Sequence, residues 1–187
     1  MLVSPALNEA ILAESQSLPI VKLGVLASGS GGNFEALVQA IASGELRAEI
    51  PLLIYNNPGA KVAARAARWG IPAILVNHRD YASREAFDYE IVQLLRQHGV
   101  EWLAMAGWMR CATTVLVEAF LGRAVNLHPS LLPSFPGLRA IEQALAAGVT
   151  LAGCTAHLVE LEVDRGPILI QAAVPVLPDD TAETLHA

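Results

Sequence analysis

The chain has 187 residues, 53% of them hydrophobic and 16% charged, with a formal net charge of −6. That length supports one substantial core and not two ordinary domains, and the composition excludes a disordered or fibrous chain. Its 12 basic residues are scattered singly, which argues against nucleic-acid binding through clustered Lys and Arg, and no apolar run approaches the roughly 20 residues of a membrane span.

Residues 1–19 read as an N-terminal extension without a secretory signal. The first basic residue is Lys22, and Glu9 and Glu14 interrupt the segment before it. Ser4-Pro5 has the form of an N-cap followed by proline at the first helical position, which predicts a helix over 5–17. The two cysteines, Cys111 and Cys154, form no CxxC and read as reduced thiols of a cytoplasmic protein.

From residue 20 the pattern alternates. Val21–Ala27 is an apolar run that reads as a buried parallel strand, stopping at the glycine cluster Ser28-Gly29-Ser30-Gly31-Gly32. A helix is predicted over 33–43, with Phe34, Leu37, Val38 and Ile41 at helical spacing and Gly44 as its stop. A strand over 50–55 ends in the turn Asn56-Asn57-Pro58-Gly59, a helix covers 60–69, and a strand covers 72–76. Ser83 caps a helix running to His98, a strand covers 102–106, a helix 114–120, and a strand 124–127 ends at His128. This is an α/β chain, a Rossmann-like doubly wound and mostly parallel sheet. Beyond His128, HPSLLPSFPG holds three prolines in ten residues and reads as a stiff ordered loop. A helix around 141–147 and two strands, 153–160 and 167–176, complete the pattern, the last two forming an antiparallel pair joined through 161–166.

Three groups of residues carry chemistry. In Ser28-Gly29-Ser30-Gly31-Gly32-Asn33, between a strand and a helix, successive glycines let backbone N–H groups approach an anion at a helix N-terminus. No GK[ST] follows, and Gly29-Ser30-Gly31-Gly32-Asn33-Phe34 lacks the third glycine of a dinucleotide loop, so a phosphomonoester is the preferred ligand and a plain tight turn the alternative. Asn126 and His128 stand two apart at a strand end and share one face, at the carboxyl edge of the sheet where open α/β folds bind ligands. An amide donor beside an imidazole suits a carbonyl oxygen that becomes an oxyanion. A histidine so placed is equally compatible with a structural role. Asp164-Arg165-Gly166-Pro167 puts a carboxylate in a turn, where Asp commonly bonds its own backbone. His157, inside a strand-like alternation, reads as a satisfied core histidine.

VNLHPSLLPSFPG, the later AGCTAHLVELEVDRGPILIQ and the early LASGSGGNFEAL resemble the phosphoribosylglycinamide formyltransferases of purine synthesis over about residues 20–187, in order. HPSLLP marks the wider formyltransferase family, and SGSGGN narrows it to this branch. The resemblance implies a single formyltransferase domain over 20–187, with a ribonucleotide-binding half at about 20–120 and a catalytic and folate half at about 121–187. It implies transfer of the formyl group of 10-formyltetrahydrofolate to the amine of 5'-phosphoribosylglycinamide, with no metal. It further implies that Gly31, Gly32 and Asn33 bind the ribonucleotide phosphate and that Asn126, His128 and Asp164 are catalytic, Asp164 pairing with His128. Arg84, Met109, Arg110, Cys111 and Ala112, together with Asn126, are implied to contact the folate. The expected partners are these small molecules, without nucleic acid or membrane, in a monomer or homodimer.

The chain departs from that pattern in three places. Leu138-Arg139-Ala140-Ile141-Glu142-Gln143 lacks the histidines many relatives carry there, Arg165 stands where a second glycine is common, and the sequence stops at Ala187 as a helix begins, which reads as a truncation. Four other functions compete. A formyltetrahydrofolate hydrolase needs no phosphate loop, and a methionyl-tRNA formyltransferase needs a basic surface and an RNA-binding domain. A nicotinamide dehydrogenase needs an acid at the end of the second strand, where Tyr55-Asn56-Asn57 stand. A non-catalytic binding module is the fourth.

Overall fold

The structure is a computed structural model and describes residues 19–186. The helix expected over 5–17 lies outside the described residues. Seven strands form one sheet in the order β3-β2-β1-β4-β5-β6-β7. The strands are β1 (Val21–Ala27), β2 (Ala48–Tyr55), β3 (Ala73–Leu75), β4 (Trp102–Met105), β5 (Ala124–His128), β6 (Leu151–Leu158) and β7 (Ile168–Pro175). Strands β1 to β5 are mutually parallel, whereas β6 runs antiparallel to both β5 and β7. This is the mostly parallel sheet with an antiparallel C-terminal pair that the alternation of elements predicts.

The helices are α1 (Gly32–Ala42), α2 (Val62–Arg68), α3 (Arg84–Gln97), α4 (Thr114–Ala119), α5 (Ala140–Ala146) and α6 (Ala182–His186), with a 3-10 turn at His78–Asp80. Adjacent strand residues point to opposite faces, so the apolar runs of β1 and β2 feed two cores. On one face Val25 and Leu53 pack with Phe34 and Val38 of α1 and Val62 and Ala66 of α2. On the other, Leu26, Leu52 and Ile54 pack with Phe87, Ile91 and Leu95 of α3 and Leu116 of α4. Ser83 caps α3 as expected, its Oγ accepting from the Ala86 N–H at 3.1 Å.

Strand order opens a crevice at the carboxyl edge of the sheet. After β3 the chain crosses back past β1 to build β4 on its other side, so the loops leaving β1 and β4 diverge between them, the place where open α/β sheets bind ligands. Two bonds stitch those loops together. The Ser28 N–H donates to the Gly107 carbonyl at 3.1 Å, and the Met109 N–H donates to Ser28 Oγ at 2.8 Å. The glycine loop and the segment Met109–Ala112, remote in sequence, therefore share one rim.

Candidate active site

Antiparallel pairing of β5 with β6 sets Asn126 directly opposite His157 and His128 opposite Thr155. The His157 Nδ1 lies 2.9 Å from the Leu158 carbonyl, so that nitrogen donates, and in the neutral ring Nε2 is then an acceptor. Asn126 Nδ2, 3.1 Å from that Nε2, donates to it. This fixes the amide's rotation and leaves its second N–H for another acceptor. His157 is buried and hydrogen-bonded, as a core histidine should be, but its partner is a candidate catalytic side chain. The sequence signal that could have found it is its spacing from Asp164, legible only once β6 is known to lie beside β5.

His128 is held from both sides. Its Nε2 is 2.9 Å from the Phe135 carbonyl and its Nδ1 is 3.3 Å from Asp164 Oδ2, with both side chains 7% exposed. Both nitrogens thus face oxygen acceptors, an arrangement satisfied when each carries a proton. Asp164 adopts φ 57°, and its Oδ2 also accepts from the Gly137 N–H at 2.8 Å, while Oδ1 lies 3.6 Å from His157 Nε2. The turn containing Asp164 therefore sends the carboxylate across to the HPSLLPSFPG loop and the two histidines. It does not use it on its own turn.

That loop is pinned by a buried hydroxyl. Thr155 Oγ1 donates to the Ser130 carbonyl at 2.7 Å and accepts from the Leu132 N–H at 3.1 Å and from Gln171 Nε2 at 2.9 Å. Gln171 Nε2 also donates to the Leu132 carbonyl at 2.9 Å. Backbone polar groups of a proline-rich loop have no ladder to join, so β6 and β7 supply the partners. Gly153 admits the close approach of the β7 backbone, since a Cβ there would collide with the Ala172 carbonyl oxygen.

Two cavities flank this assembly. One, of about 460 Å³, is lined by Met109, Arg110, Cys111, Ala112, Asn126, His128, His157 and Asp164. The other, of about 450 Å³, is lined by Asn33 and by residues of the proline-rich loop, β6 and β7. Gly107, Met109, Leu127, Pro129 and Ile141 line both and form the wall between them. Gly31 and Gly32 stand beside Asn33 in the loop but line neither cavity. Arg84, the first residue of α3, is exposed and lines neither cavity.

Asp88 escaped the sequence reading. It is buried among the apolar residues of α3, and its Oδ2 accepts from the Thr113 N–H at 2.7 Å. That bond secures the end of the Met109–Ala112 segment where it enters α4. Burial raises the Asp88 carboxyl above its ordinary value, opposed by the Thr113 N–H. An Asp at helical spacing with Phe87, Ile91 and Val92 on a buried face is the signal that marks it.

The sequence model of the family described as formyl transferase matches residues 21–187. The chain belongs to the formyl transferase family. This family member is 43% identical over 165 residues to the phosphoribosylglycinamide formyltransferase of Bacillus subtilis, a match covering 88% of the chain and 85% of that protein. It is 46% identical over 182 residues to the trifunctional purine biosynthetic protein adenosine-3 of Drosophila pseudoobscura, covering 95% of the chain but 13% of the much longer fly protein. Among solved structures, the glycinamide ribonucleotide transformylase 1 of Geobacillus kaustophilus superposes with a TM-score of 0.85 at 46% identity, covering 89% of each chain. That of Symbiobacterium toebii gives 0.87 at 43% identity, covering 89% of this chain and 79% of its own. The formyl transferase fold expected from sequence is thus the fold of these neighbours.

Proposed function

We propose that this formyl transferase moves the formyl group of 10-formyltetrahydrofolate to the amine of 5'-phosphoribosylglycinamide. The observation that carries the reading is the pair of adjoining cavities. One holds Asn126, His128 and Asp164, the other is bordered by the glycine loop through Asn33, and a single wall separates them. Two substrates bound side by side would present a nucleophile and an acyl donor at that wall, which lowers the barrier by orientation alone. Relatives named phosphoribosylglycinamide formyltransferase and glycinamide ribonucleotide transformylase support this acceptor and the formyl group transferred to it.

The folate supplies the activated formyl carbon and a nitrogen leaving group. The chain's own part is electrostatic. The free N–H of the Asn126 amide, oriented by His157, donates to the oxygen that becomes anionic as the amine adds. His128, with Asp164 behind Nδ1, places positive charge beside the same oxygen, and its Nε2–H is available once it leaves the Phe135 carbonyl. A preorganised donor of this kind supplies about 3 kcal/mol of barrier reduction. Met109, Arg110, Cys111 and Ala112 line the cavity assigned to the folate. Arg84 would meet only a part of the folate lying outside the cavity. Gly31, Gly32 and Asn33 are assigned to the ribonucleotide phosphate. On this reading residues 20–187 act as one domain with substrates drawn from the cytoplasm.

The test supplies the ribonucleotide and 10-formyltetrahydrofolate and follows deformylation of the folate by absorbance. Release that requires the ribonucleotide is the expected result. Release at the same rate without it would overturn the reading in favour of hydrolysis.

A further inference from the structure

The glycine loop is restrained by residues that lie outside the two cavities. Four consecutive carbonyls are committed away from the loop's concave side. Ser28 O accepts from Asn57 Nδ2 at 2.8 Å, Gly29 O from the Val62 N–H at 3.2 Å, Ser30 O from Arg65 Nε at 2.8 Å, and Gly31 O from the Glu35 N–H at 3.0 Å. Among the described residues, the N–H groups of Gly29 to Asn33 donate to no protein acceptor. Helix α2 presses directly on the loop. Gly31 adopts φ 79°, and a Cβ there would lie 2.6 Å from Val62 Cγ2.

Arg65 is the side chain of α2 that donates to a loop carbonyl, and it is itself held. Its NH1 lies 3.0 Å from Glu35 Oε2, which also meets Arg68 NH2 at 3.3 Å, while Glu35 Oε1 accepts from Trp69 Nε1 at 2.8 Å. The Trp69 bond foremost, then the Arg65 bond, keep the Glu35 carboxyl below its ordinary range. Glu35 sits in the first turn of α1, beside the place assigned to an anion. An acid there repels a phosphate unless cations offset its charge, and here two cations and an indole N–H meet the carboxylate. Glu35 in turn holds the Arg65 fork, whose Nε donates to the Ser30 carbonyl.

We infer that Arg65, anchored by Glu35, is a positioning residue for the anion-binding loop: it holds the Ser30 carbonyl outward so that the N–H groups of Gly31 to Asn33 converge on the ribonucleotide phosphate. The inference rests on the assignment of that loop to the phosphate. Calorimetric titration with inorganic phosphate, and steady-state kinetics with both substrates, test it on the wild-type chain, Arg65→Met, Arg65→Lys and Glu35→Ala. Arg65→Met is expected to weaken phosphate binding about tenfold or more and to raise KM for the ribonucleotide alike, with KM for the formyl folate unchanged. Arg65→Lys, which keeps the charge without the fork, is expected to weaken binding as well. Glu35→Ala gives the discriminating sign. Losing a negative charge beside an anion should tighten binding, whereas losing the anchor should weaken it, and weakening is expected. If Arg65→Met binds as the wild type does, if Lys restores full affinity, or if Glu35→Ala binds more tightly, the positioning role is overturned. If the wild-type chain binds no phosphate, the assignment of the loop fails and the inference with it. Arg65→Lys and Glu35→Ala keep the question decidable should Arg65→Met fold poorly.

Discussion

The coupling of His128 to Asp164 can be measured with a double-mutant cycle on His128→Ala and Asp164→Asn. Nδ1 and Oδ2 are 3.3 Å apart, and both side chains are 7% exposed. At an effective dielectric of about 20, unit charges at that separation attract by about 5 kcal/mol. Desolvation of the pair offsets part of this, and Asn at 164 retains an acceptor for the Gly137 N–H. A net loss of about 3 kcal/mol of transition-state stabilisation follows for either single variant, roughly a 150-fold fall in kcat. Because Asp164 is proposed to act through His128, the double variant should fall little further than the worse single one. Initial rates at saturating substrates give the three ratios, and ribonucleotide KM should stay near the wild-type value throughout. Fully additive losses, multiplying to about 10⁴-fold or more, would refute the idea that the two residues act as one unit. Near wild-type turnover in either single variant would refute the assigned roles altogether.

Three further outcomes are expected. His157→Phe removes the acceptor that orients the Asn126 amide, so kcat should fall by about tenfold, the worth of one neutral hydrogen bond, while thermal stability changes less than turnover. Thr155→Val strands the Ser130 carbonyl and the Leu132 N–H in a buried site. Calorimetric unfolding should show a loss of about 2–3 kcal/mol, or about 5–10 °C in Tm. For Asp88, burial raises the carboxyl's folded-state value above its unfolded one. The folded chain then keeps this proton to higher pH than the unfolded chain does, and the group's contribution to stability declines as pH rises between the two values. Asp88→Asn keeps an acceptor for Thr113 and removes the titration. The Tm of this variant relative to wild type should therefore climb from pH 4 to pH 7, and a flat or falling difference would contradict the assignment.

Much of the fold is legible in the chain because its determinants are local. Val21–Ala27 is an uninterrupted apolar run closed by glycines, and a strand buried on both faces needs nothing more to be recognised. Ser83 with its cap, the alternation of strands and helices to His128, and three prolines that exclude regular structure are likewise properties of short windows. Asn126 and His128 are legible for the same reason, because a period of two and a strand end place them on one face at the sheet's carboxyl edge. The glycine loop is legible as the turn between a strand and a helix through the backbone freedom of Gly31 and its neighbours.

The tertiary structure decided what depends on partners far along the chain. Strand β6 begins at Leu151, two residues before the predicted start, because its ladder with β7 runs from the Leu151–Pro175 pair. Locally, Asp164 reads as a turn residue satisfying its own backbone. Only the packing of its loop against Gly137 and His128 turns that carboxylate toward the site. His157 reads as core until the β5–β6 register sets it across from Asn126. Arg65 and Glu35 stand 30 residues apart on different helices, and their meeting over the Ser30 carbonyl follows from the packing of α2 against the glycine loop. Periodicity and turn chemistry act over a few residues and are written in the sequence. Register, carboxylate direction and the pairing of remote charges arise from closing long loops and burying surface, and no short window contains them.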